Sequence, residues 1–91
     1  MATAQITAVR FVGYRRNEDI SLFRWRLTTG EPGQSERSAM IAWAEQGNEF
    51  VVAATGGLQR VAVVRPQGGA PFLCAHADGR WTDALLDLPM F

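Results

Sequence analysis

The stretch Ile20-Ser21-Leu22-Phe23-Arg24-Trp25-Arg26-Leu27-Thr28-Thr29 decides the fold. Phe23, Trp25 and Leu27 alternate with Arg24 and Arg26. Successive side chains of a strand point to opposite faces, so this spacing predicts a β-strand with one apolar face and one arginine face. Upstream, Gln5 to Tyr14 is rich in β-branched and aromatic residues and reads as another strand. The polar link Arg15-Arg16-Asn17-Glu18-Asp19 is short, which predicts an antiparallel hairpin.

Downstream, Gly30-Glu31-Pro32-Gly33-Gln34 reads as a loop broken by Pro and Gly. Ser35 or Glu36 then opens a helix over residues near 36–46, with Met40, Trp43 and Ala44 at i, i+3 and i+4 facing the sheet. Gly47 closes the helix as a C-terminal cap, with Asn48 behind it. Three further strands are predicted at Phe50–Thr55, Leu58–Arg65 and Phe72–His76. Gly56-Gly57 and the loop Pro66–Pro71 connect them. Asp78-Gly79 is a hairpin turn from which Arg80-Trp81-Thr82 returns as a short sixth strand. Asp83 to Leu88 forms one helical turn, which Pro89 stops.

Strands that cluster around one helix, rather than alternating with helices, predict an α+β fold. The expected architecture is a small antiparallel sheet of five to six strands with one main helix packed on it, in the order β-β-α-β-β-β. With 91 residues, no repeats and no linker, the expectation is a single domain over residues 1–91.

The tail Val64-Arg65-Pro66 through Pro71-Phe72-Leu73, then His76-Ala77-Asp78-Gly79 and Trp81-Thr82-Asp83-Ala84-Leu85-Leu86-Asp87-Leu88-Pro89, resembles a family of small bacterial domains of unknown function. The opening Ile6-Thr7-Ala8-Val9-Arg10 and the helix segment Met40-Ile41-Ala42-Trp43 are similar to the same family. The resemblance spans nearly the whole chain. It implies a small bacterial domain and brings no activity, cofactor or site residue with it.

Charge and composition narrow the function classes. Nine basic and nine acidic residues cancel. A neutral chain has no global attraction for nucleic acid or an anionic membrane, so generic nucleic-acid binding is not expected. All the basic residues are arginine. Without lysine, Schiff-base chemistry and a Walker-type phosphate loop are excluded. The single Cys74 cannot form an intramolecular disulfide. No apolar run approaches the length of a membrane span, and Met1-Ala2-Thr3-Ala4-Gln5 does not read as a signal peptide. The expected location is the cytoplasm.

Several residues are candidates for function. Cys74 and His76 lie two apart on a strand and so on one side, as a thiol–imidazole pair requires. A buried core cysteine beside a hydrogen-bonded histidine is the expected arrangement. One Cys and one His fall short of a zinc ligand set, although a two-fold dimer would double them. Asp78, Asp83 and Asp87 cluster near the end; Asp78 is expected to shape a turn and Asp83 to cap the last helical turn. Arg24 and Arg26, joined by Arg10 from the neighbouring strand and by Tyr14, form a candidate anion site, because guanidinium groups bind phosphate or carboxylate bidentately. Gly68-Gly69 reads as a plain connection.

The preferred expectation is a non-enzymatic interaction module that self-associates, as a dimer, through its C-terminal third. Trp81, Leu85, Leu86, Met90 and Phe91 would form the interface, because a single turn and a Pro-broken tail cannot turn them all inward. The alternatives are a small-anion, nucleotide or acidic-partner binder using the arginine face, and an enzyme centred on Cys74 or an aspartate. No cofactor is expected.

Overall fold

A computed structural model describes residues 2–91. The chain forms β1 (Thr3–Phe11), a 3-10 turn (Asn17–Asp19), β2 (Ile20–Leu27), β3 (Pro32–Glu36) and α1 (Arg37–Glu45). It continues through β4 (Glu49–Ala54), β5 (Gly57–Val64), β6 (Phe72–Ala77), β7 (Arg80–Thr82) and a second 3-10 turn (Ala84–Asp87). The fold is α+β, with one sheet of seven strands in the order β3-β2-β1-β4-β5-β6-β7.

The sheet corrects the expected architecture at two points. Residues 32–36, expected as loop and helix start, form the edge strand β3 instead. Pro and Gly are tolerated there because an edge strand leaves one row of backbone groups unpaired. The sheet is also mixed rather than purely antiparallel: β1 and β4 run parallel, from Thr3 opposite Glu49 to Ile6 opposite Val52. The physical cause is α1, which carries the chain back to the starting end of β1, where the Glu49 amide donates to the Ala2 carbonyl.

One face of the sheet carries the core. Val9, Phe23, Phe50, Val52, Leu73 and Ala75 are buried there, with Met40 and Ile41 from α1 and Leu85 from the last 3-10 turn. Met40, Trp43 and Ala44 pack on this core as their spacing predicts; Ile41 joins them. Trp25, Trp43 and Phe50 form an aromatic chain, with ring centroids 5.4 Å and 5.3 Å apart. Gly47 ends α1 at φ +94°, the left-handed conformation a helix C-terminus favours.

Two bulges set which residues face outward. In β1, Ile6 pairs with Trp25 and Ala8 with Arg24, so Thr7 is the extra residue. In β2, Arg10 pairs with Leu22 and Phe11 with Ile20, so Ser21 is extra. A bulge shifts side-chain parity by one residue. Ile6 therefore faces the core, whereas Arg10, of the same parity in an unbroken strand, faces outward beside Arg24.

Candidate functional site

Arg24 and Arg26 lie on the outer sheet face, opposite the core residues Phe23 and Trp25, as the alternation predicts. The bulge at Thr7 turns Arg10 onto the same face. The Arg10 and Arg24 guanidinium carbons sit 4.8 Å and 4.1 Å from the centroid of one ring, that of Phe91. Both distances lie within cation–π range. Arg10 Nε also donates to the Phe91 backbone oxygen at 2.8 Å. Arg26 is drawn elsewhere: its Nη1 donates to the Gly30 carbonyl at 3.0 Å. Among the described residues, ion pairs involve Arg16 and Arg65, with no Asp or Glu side chain within pairing distance of Arg10, Arg24 or Arg26. Two guanidinium groups thus meet on one aromatic ring with no Asp or Glu side chain paired to either.

Tyr14 takes no part in this arrangement. It stands beyond the end of β1 in the bend that follows, exposed, with Arg16 5.1 Å over its own ring. The aromatic partner of the arginines is Phe91, which the sequence reading assigned to a protein interface.

Phe91 reaches the arginines because the tail folds back along the sheet. Val9 donates its amide to the Pro89 carbonyl at 3.0 Å, and Phe91 donates to the Val9 carbonyl at 3.2 Å. Val9 and Met90 form a parallel bridge beside the part of β1 that extends past its pairing with β4. Leu85 is completely buried and so leaves the proposed interface. Leu86 and Phe91 are half-buried, and Arg15 Nε ties the bend after β1 to the Leu86 carbonyl at 3.0 Å. Trp81 and Met90 stay largely outside, 57% and 64% exposed. This docking could not have been read from apolar spacing alone, because the groups that hold the tail to Val9 are backbone.

Cys74 is buried, and its thiol donates to the Thr82 carbonyl at 3.4 Å. Burial pushes the thiol above its ordinary pKa, which disfavours the nucleophilic thiolate at neutral pH. His76, two residues on, packs its ring against Trp81 at 5.7 Å, edge to face. No group of three His, Cys, Asp or Glu side chains among the described residues is placed to hold a metal ion. Asp78 has φ +54° and precedes Gly79 at φ +77°, the two left-handed residues of a tight hairpin turn. Asp83 occupies the cap position of the last 3-10 turn but makes no side-chain cap bond; the Ala84 amide donates to the Thr82 hydroxyl instead. No helix among the described residues is long and apolar enough to cross a membrane.

Fold and site together define a small mixed-sheet domain with an arginine-bearing outer face. The chain belongs to the family described as a protein of unknown function (DUF3892), whose model matches residues 5–89. No curated protein and no solved structure matches it.

Proposed function

We propose that this domain is a non-enzymatic binding module that takes a compact oxyanion, a phosphate or a carboxylate, on Arg10 and Arg24. The observation that carries this reading is the convergence of both guanidinium groups on Phe91 with no Asp or Glu side chain paired to either among the described residues. Stacking on the ring holds each fork in place, which lowers the entropy lost when an anion docks. The Arg24 guanidinium makes no hydrogen bond to protein among the described residues, so its donors are free for a ligand, free acid or acidic side chain of a partner.

Thermal shift and titration calorimetry with inorganic phosphate and with citrate test this. A ligand that binds only the native state raises stability by RT ln(1 + [L]/Kd), about 2.7 kcal/mol at one hundred times Kd. Arg24→Ala and Arg10→Ala should each abolish the shift, and Arg24→Lys should weaken it, since an ammonium lacks the planar fork. Absence of any shift or heat at millimolar anion, or an equal shift in the Arg10→Ala/Arg24→Ala variant, refutes the reading.

A second reading is self-association through Trp81 and Met90. It is favoured by the exposure both keep after the tail has docked. Light scattering across a concentration range distinguishes it: a dimer that dissociates on Trp81→Asp or Met90→Asp supports it, and a monomer at every concentration removes it.

A further inference from the structure

We propose that the outer sheet face binds a short single-stranded oligonucleotide, with phosphates on Arg26 and Arg60 and a base stacked on Trp81. This rests on the anion reading only in extending the same basic face beyond Arg10 and Arg24.

The strand registers place one row of side chains across the whole sheet. Pro32 pairs with Arg26, Arg26 with Gln5, Gln5 with Val51, Val51 with Arg60, Arg60 with His76 and His76 with Trp81. Directly paired residues point to the same side of a sheet. This side is the one opposite the core, since Trp25, Ile6, Phe50 and Val61 pair on the other.

The row changes the electrostatic reading of the chain. Net charge is zero, yet Arg10, Arg24, Arg26, Arg60 and His76 all occupy this face. The same registers put two carboxylates on it, Glu36 opposite Leu22 and Glu49 opposite Thr3, at the ends of β3 and β4. Neither forms an ion pair with these arginines, and Arg60 has no carboxylate partner among the described residues. The neutral total therefore hides an arginine-bearing face, with Glu45 and Glu49 lining the hollow beside Arg60 and His76 and Glu18 and Asp83 the one beside Trp81.

Length and aromatic content choose the ligand. Five strand spacings separate Arg26 from Trp81, about 24 Å along the row. That outreaches a mononucleotide and suits an extended strand. Trp81 is 57% exposed, and its contact with His76 orients the indole. Single-strand binders combine a charged track for the backbone with aromatic rings for the bases. A duplex offers Trp81 no unstacked base, and an acidic peptide would leave the indole unused.

The test is fluorescence anisotropy with labelled oligothymidylate and oligouridylate of about ten nucleotides, against a duplex of equal length and a polyglutamate peptide. Both single strands should bind in preference to the duplex and the peptide at about 50 mM salt. Trp81→Ala should weaken binding roughly 5- to 150-fold, the equivalent of one stacked base, and Trp81→Phe should restore most of it. Arg26→Ala and Arg60→Ala should each reduce the slope of log K against log salt by about 0.7. Far-UV circular dichroism of each variant should match the parent. A preference for uridylate would place the 2′-hydroxyl in the contact and point to RNA; equal binding would point to backbone and stacking alone. Failure of both single strands to bind, equal binding by Trp81→Ala, or equal affinity for polyglutamate overturns the proposal. If phosphate still binds at Arg10 and Arg24 in that case, the earlier reading stands without this one.

Discussion

Replacing Gly33 with alanine should destabilise the domain by about 2–4 kcal/mol, although the residue lies on an edge strand. Gly33 pairs directly with Trp25, and the indole lies across it. A Cβ built at 33 would stand 2.7 Å from Trp25 Cε2 and closer still to two other ring atoms, inside the 3.0 Å that real Cβ atoms respect. The indole would have to move. It would then leave its contact with Trp43, worth about 0.5–1.5 kcal/mol. It would also lose the bond from Trp25 Nε1 to the Ser35 hydroxyl at 3.1 Å, worth about 0.5–1.5 kcal/mol. Strain from overpacking adds about 1 kcal/mol or more. For a domain of this size, each kcal/mol lowers Tm by roughly 4–8 °C. Urea denaturation followed by circular dichroism and tryptophan fluorescence measures the loss. The decisive comparison is a double-mutant cycle with Trp25→Ala. If the clash is the cause, Gly33→Ala should cost almost nothing once Trp25 is alanine. Additive losses, or a loss below about 0.5 kcal/mol in the single variant, would refute the reasoning.

Other expectations follow from the core, the tail and the thiol. Leu85→Ala should cost about 2–5 kcal/mol in denaturant titration, because Leu85 is wholly buried; a loss below about 1 kcal/mol would put it on the surface. Removing residues 89–91 deletes two backbone hydrogen bonds to Val9, so stability should fall by about 1–3 kcal/mol and Arg10 and Arg24 should lose their ring. Unchanged stability and unchanged anion binding would show that the tail does not dock. Cys74 should react with iodoacetamide far more slowly in the native state than in denaturant at neutral pH. Its pKa is raised on folding, so the stability this contributes is complete below the unfolded thiol's pKa and is lost as pH rises through the folded value. Rapid native labelling at pH 7 would contradict the burial.

The elements legible in the sequence were those with strong local signals. The β2 alternation, the i, i+3, i+4 spacing of α1, Gly47 and the Asp78-Gly79 turn each encode their own geometry, and each is found where its signal lies. The strand β3 was not legible. Pro32-Gly33-Gln34 has the composition of a loop, and its extended conformation comes from pairing with β2 and from the Trp25 indole over Gly33. Of the candidate site, the alternation in β2 put Arg24 and Arg26 on one face, but nothing local to the sequence showed that Phe91, rather than Tyr14, lies beside Arg10 and Arg24.

By itself, then, the sequence determined an α+β domain with a single helix, a buried apolar face and an arginine-bearing strand, because these follow from side-chain periodicity within a few residues. Tertiary structure alone decided that β1 and β4 run parallel, that the tail lies against Val9, and that Phe91 stands beside Arg10 and Arg24. It also decided that Arg10 faces outward at all. That depends on one extra residue, Thr7, whose hydroxyl donates to the Arg24 carbonyl at 3.3 Å. A bulge leaves no mark in the pattern of one strand: it is a property of the pairing between two, and local periodicity cannot report it.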